Sequence, residues 1–140
     1  MLVLDASAAL AWIFERTDVA ESALADRLLD RLAEQPALVP VLWHTEVANA
    51  LLVAERRGVV REAQMIDYLN RLIHLPIITD DVAVPARQGV VMALGREHGL
   101  SAYDATYLEL ALRTGAVLAS FDGKLVTATR AAGGRVFGLP

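Results

Sequence analysis

Residues Met1 to Phe14 read Met-Leu-Val-Leu-Asp-Ala-Ser-Ala-Ala-Leu-Ala-Trp-Ile-Phe. Leu2 to Leu4 form a short apolar run that stops at Asp5, and the stretch from Ser7 to Phe14 then reads as a helix. A strand that hands an acid directly into a helix is the start of an α/β unit. In an open parallel sheet, ligands gather in the crevice beyond the carboxyl ends of the strands. Far along the chain the same arrangement returns: Ala116-Val-Leu-Ala-Ser120 reads as a strand, and Asp122 precedes a short helix over Lys124 to Ala131.

Between these two units, apolar and polar residues alternate in the same manner. Val19, Ala23, Leu24, Leu28, Leu29 and Leu32 recur at helical spacing, which predicts a helix over Asp18 to Ala33 with Asp18 and Glu21 as a capping box. Leu38 to Val41 reads as a second strand, with Pro40 tolerated near its end or at an edge. A helix over Trp43 to Arg57 is stopped by Gly58, and another covers Arg61 to Ile73. Pro76 to Thr79 is the third strand, with Asp80 and Asp81 capping a helix from Val82 to His98. After Gly99 comes a helix over Ala102 to Arg113, ended by Gly115, and the chain closes through Gly133 and Gly134 into a last strand, Arg135 to Phe137. Short apolar strands alternating with helices imply one α/β domain over residues 1–140, a parallel sheet of about five strands flanked by helices.

Composition fits that reading. With 55% hydrophobic and 21% charged residues, a chain of 140 has enough apolar material for one core and is far from a disordered composition. No apolar run reaches the 18 or so residues of a membrane span, and Met1 to Asp5 lacks the basic start of a secretory leader, so a cytoplasmic protein is expected. The absence of cysteine excludes disulfides and thiolate zinc sites, and His44, His74 and His98 are too scattered for metal-ligand spacing. Net charge is −4, so any nucleic acid must be met by a local basic surface or by acids neutralised with metal. Arg96, Arg113 and Lys124 are the basic residues nearest the predicted rim.

Four acids, Asp5, Glu46, Asp104 and Asp122, fall where a strand ends or a helix begins. Singly, three of them have capping explanations: Asp5 for the first helix, Asp104 with Ser101 as a capping box, and Asp122 for the last helix. Glu46 is different. It sits in the first turn of a predicted helix made largely of Val47, Ala48, Ala50, Leu51, Leu52 and Val53, where an inward acid needs a partner or a metal. Asn49, three residues on, shares its face and is placed to support it, while Ser7 and Ser120 flank the strand-end acids. Two carboxylates about 5 Å apart repel by roughly 3 kcal/mol at an effective dielectric of about 20, so four in one crevice call for a cation. Oxygen-only ligands point to Mg²⁺ or Mn²⁺, and such a site suits phosphodiester hydrolysis.

At Asp5-Ala-Ser7, at Glu46 with Asn49 and Leu51, at Ser101-x-x-Asp104-x-x-Tyr107-Leu108 and at Ser120-Phe-Asp122, the chain resembles the PIN-domain ribonucleases, above all the VapC toxins of bacterial toxin–antitoxin modules. The resemblance spans nearly the whole chain. It implies the sheet order 3-2-1-4-5 and a Mg²⁺- or Mn²⁺-dependent endoribonuclease with Asp5, Glu46, Asp104 and Asp122 as metal-site acids. It further implies a homodimer, a VapB-type antitoxin as inhibitor, and a structured RNA such as tRNA or rRNA as substrate. Two other rim-acid architectures fit less well: a receiver domain needs adjacent acids after the first strand, and a haloacid-dehalogenase-like phosphatase needs two aspartates one residue apart, whereas Asp5 is followed by Ala6 and Ser7. A PIN domain that binds RNA or protein without cutting is the remaining alternative.

Overall fold

Three apolar residues of β1 (Leu2–Leu4), all fully buried, form the central strand of a five-stranded parallel sheet. The computed structural model describes residues 1–14 and 17–138, so the last two positions of the expected 1–140 domain lie outside the described residues. β1 pairs on one side with β2 (Ala37–Val39) and on the other with β4 (Val117–Ala119). β3 (Ile77–Thr79) flanks β2, and β5 (Arg135–Val136) flanks β4, which gives the order β3-β2-β1-β4-β5. Both the parallel pairing and the order agree with expectation. The register sets Leu4 opposite Ala119 and Val39 opposite Thr79, so the residues that follow these strands emerge along one rim.

Seven helices connect the described strands: α1 (Ala6–Leu10), α2 (Val19–Glu34), α3 (Val41–Arg56), α4 (Glu62–Leu72), α5 (Val84–His98), α6 (Ala102–Thr114) and α7 (Gly123–Ala131). The core is made where their apolar stripes meet the sheet, with Leu28, Leu32, Val47, Leu51, Leu108, Leu110 and Leu125 closing over Leu2, Val3, Leu4 and Leu118. α2 is capped as its sequence predicts, the Asp18 carboxylate accepting from the amides of Ala20 and Glu21. α6 ends on Gly115, whose φ of 68° is the left-handed conformation that lets a helix close.

The departures from expectation have local causes. β2 stops at Val39 because Pro40 has no N–H for the ladder, and its carbonyl accepts from the Trp43 amide, so α3 starts at Val41. Glu46 therefore stands in the second turn of α3, not in its first. α1 ends at Leu10 rather than Phe14, since Trp12 and Ile13 bond three residues back to Ala9 and Leu10 and the helix tightens. α5 begins at Val84 with Ala83 as its cap and Pro85 in its first turn, not at Val82 under Asp80 and Asp81. Asp80 instead joins a buried cluster. Arg87 and Arg113 both reach its Oδ2, at 2.9 and 2.7 Å, and Arg113 also pairs with Glu109 at 2.7 Å.

Candidate active site at the carboxyl rim of the sheet

Asp5 leaves the end of β1 with its amide still bonded to the Ala119 carbonyl at 2.9 Å, which fixes its backbone to β4. Although it occupies the cap position of α1, its side chain makes no cap hydrogen bond. Its Oδ2 accepts two hydroxyls instead, from Ser7 at 2.7 Å and from Ser120 at 2.6 Å. These two serines also stitch the strand ends together, because the Phe121 amide donates to Ser7 Oγ and the Asp122 amide to Ser120 Oγ, each at 3.0 Å. Ser7 and Ser120 thus place two donors on one oxygen of Asp5.

Asp122, two residues past β4, does cap its helix: its Oδ1 accepts from the amides of Lys124 and Leu125. Asp104 lies in the first turn of α6, where its amide donates to Ser101 Oγ at 3.1 Å. Glu46 is half-buried on α3 between the buried Trp43 and Val47, and its Oε1 accepts from the Tyr107 hydroxyl at 2.6 Å. Asn49 is exposed, and no described hydrogen bond joins it to Glu46. The partner expected in Asn49 is supplied by Tyr107, a residue of α6. Tyr107 stands in the quoted motif, but a fully buried tyrosine reads as core until its contact across two helices is seen.

The four acids share one electrostatic field. Burial pushes the Asp5 carboxyl upward, the hydroxyls of Ser120 and Ser7 oppose it, and Asp122 adds to the rise. Glu46 is raised by burial first and then by Asp5 and Asp104, against the Tyr107 hydrogen bond. Asp104 is raised by burial, by Asp122 and by Asp5, while Lys124 acts the other way. Acids that raise one another this way store repulsion that a cation relieves. Among the described residues no three such side chains already converge as a metal cage. A hard ion that keeps several waters needs few direct carboxylates, so the oxygen-only donor set still fits Mg²⁺ or Mn²⁺.

The other candidates sort clearly. Arg113 is engaged by Asp80 and Glu109, so its fork is not offered to a ligand at the rim. Arg96 is exposed in the last turn of α5, and Lys124 is exposed in the first turn of α7. Of these three, Lys124 is among the charges that act on Asp104.

The family profile of the PIN domain matches residues 2–130. Among solved structures, PAE2754 from Pyrobaculum aerophilum superposes with a TM-score of 0.68 at 26% identity, covering 92% of this chain and 84% of that one. FitAcB from Neisseria gonorrhoeae gives 0.66 at 16% identity, with 99% and 97% covered, and FitAB bound to an IR36 DNA fragment gives 0.66 at 17%, with 99% and 94% covered. At those lower identities the likeness is one of fold. No curated protein matches significantly.

Proposed function

Because the chain belongs to the PIN-domain family, whose members are generally metal-dependent nucleases, we propose that it is a Mg²⁺- or Mn²⁺-dependent endoribonuclease and the VapC-type toxin of a toxin–antitoxin module. The observation that carries this reading is the rim itself: Asp5, Glu46, Asp104 and Asp122, from four separate elements, raise or feel one another's charge in one crevice. Asp5, Glu46 and Asp104 are the proposed principal ligands, with Asp122 completing the set. A divalent ion held there supplies an activated water and neutralises charge on a phosphate oxygen.

The residues around the acids have separate duties in this reading. Ser7 and Ser120 tie down Oδ2 of Asp5 and leave its Oδ1 clear of both hydroxyls. Asp122 spends Oδ1 on the α7 amides, so its orientation is set by the helix start. Lys124 puts a positive charge beside Asp104, where the backbone of an RNA strand would pass. With a net charge of −4, such local positive charge and a loaded cation are what allow RNA to approach. A structured RNA, tRNA or rRNA, is the proposed substrate. RNA as substrate places the action in the cytoplasm, and no helix among the described residues is long and apolar enough to cross a membrane.

A VapB-type antitoxin is the proposed inhibitor, and a homodimer the proposed assembly. The feature that supports a protein partner is an apolar groove of about 580 Å³ between α3, α4 and β3, walled by Trp43, Val47, Leu51, Leu69 and Ile73. Leu69 and Ile73 are 44% and 75% exposed there, which suits the apolar face of an added helix.

The test is cleavage of total bacterial RNA by the antitoxin-free chain with Mg²⁺ or Mn²⁺ against EDTA, beside folded Asp5→Asn and Asp104→Asn variants. Discrete metal-dependent cuts that disappear in both variants are expected. Absence of cuts with either metal would favour a PIN domain that binds RNA or protein without cutting.

A further inference from the structure

Tyr107 is fully buried on α6, yet its hydroxyl donates to Glu46 Oε1 on α3 across 2.6 Å, the usual length for a hydroxyl bonded to a carboxylate. Asp104 lies three residues earlier on α6, and residues at that spacing share a helix face. One helix therefore carries one rim acid directly and grips a second through a phenol. Glu46 depends on that grip more than Asp5, which has two hydroxyl donors, or Asp122, which has two amides. No other described hydrogen bond reaches the Glu46 carboxylate, whose Oε2 is left without one. A flexible glutamate with one oxygen tied and the other free has its orientation chosen by the tie.

We propose that Tyr107 is a positioning residue of the metal site: its hydroxyl fixes the Glu46 carboxylate so that α3 and α6 present Glu46 and Asp104 to the same cation. This rests on the metal-dependent reading above. Groups that orient a metal ligand through a hydrogen bond typically account for about 10- to 100-fold in metal affinity.

The experiment is Mn²⁺ titration calorimetry on the full chain. Tyr107→Phe, which keeps the ring in the core, is expected to weaken Mn²⁺ binding by about 10- to 100-fold. In a Glu46→Ala background the same change should have no further effect, because its route to the metal is already gone. A structural role would instead weaken binding equally in both backgrounds, and would overturn the proposal. Tyr68→Phe is the matched control: the Tyr68 hydroxyl is also buried and donates at 2.6 Å, but to the Ala9 carbonyl, so its loss should leave Mn²⁺ affinity unchanged. A second measurement leaves Tyr107 in place and so does not depend on the variant folding. In a chain carrying both Tyr68→Phe and Tyr103→Phe, where Tyr107 is the one tyrosine left, Mn²⁺ should perturb the near-ultraviolet tyrosine spectrum as the Glu46 charge is drawn to the ion, and a flat difference spectrum overturns the idea. If the wild-type chain binds no Mn²⁺ and cuts no RNA, the metal-site reading falls. If it binds Mn²⁺ and Tyr107→Phe binds as tightly, only the role of Tyr107 falls.

Discussion

Burial raises the Asp5 carboxyl, and two hydroxyls that converge on one of its oxygens oppose that rise. The Ser120 oxygen also accepts the Asp122 amide at 3.0 Å and so links the two strand-end acids. Ser120→Ala should therefore cost about 1.5–3 kcal/mol, the range for a hydrogen bond to a charged group. With Asp5 as the proposed metal ligand, it should also lower the proposed nuclease activity by about 10- to 100-fold. Ser120→Thr retains the hydroxyl and should stay within a few-fold of wild type in both urea denaturation and RNA cleavage. Equal loss in the alanine and threonine variants would mean that space, not the hydroxyl, is what the site requires. The sequence showed that Ser7 and Ser120 flank the acids by two residues. It could not show that both hydroxyls choose Asp5, because that depends on the register that sets Leu4 opposite Ala119.

Elements were legible in kind and less so at their ends, and Pro40 shows why. Its missing N–H stops β2, but its carbonyl also caps α3, so a residue read as a strand end opens the helix and moves Glu46 into the second turn. Asp80 taught the opposite lesson: a sequence-local cap was expected where the structure has long-range ion pairs among β3, α5 and α6. Asp80, Arg87 and Glu109 are 8%, 5% and 4% exposed, and Arg87 Nη1 lies 2.9 Å from Asp80 and 3.7 Å from Glu109. Breaking such a cluster strands buried charge, typically at about 3–5 kcal/mol, so Arg87→Ala should lower unfolding free energy in urea by about that amount. Arg113 remains to serve both acids, which places the expectation near the lower end, about 3 kcal/mol. Neither Arg87 nor Arg113 is among the causes that shift Asp5, Glu46 or Asp104, so Mn²⁺ affinity of the folded variant should be unchanged. A parallel fall in affinity would show that the cluster positions α6 for the site.

For the molecule as a whole, the alternation of strands and helices was enough to predict a parallel α/β sheet, and the motif resemblance supplied its order. The sequence also led to repulsion among the rim acids, but not to burial as its chief companion. Asp5, Glu46 and Asp104 are all raised from their ordinary values, chiefly by burial, so without a cation their ionisation works against folding. The unfolded chain releases these protons first as pH rises past the ordinary values, 3.8 for the two aspartates and 4.5 for Glu46, while the folded chain still holds them. Stability must therefore fall through the interval between the ordinary and the raised values, and stay reduced at neutral pH. Asp104→Asn removes one of these charges. In EDTA at pH 7 the variant should melt higher than wild type, and the gap should close on acidification below about pH 4, where both chains are neutral at this position. If Asp104 is a ligand as proposed, Mn²⁺ should reverse the order: ligand at 100 times its Kd adds about 2.7 kcal/mol to the chain that binds it, and the variant gains less. Thermal melts of both proteins across pH, with EDTA and with Mn²⁺, measure all of this. A wild-type chain more stable than Asp104→Asn in EDTA at neutral pH would mean that Asp104 is engaged as a structural cap of α6, and that the repulsion inferred for the rim is absent.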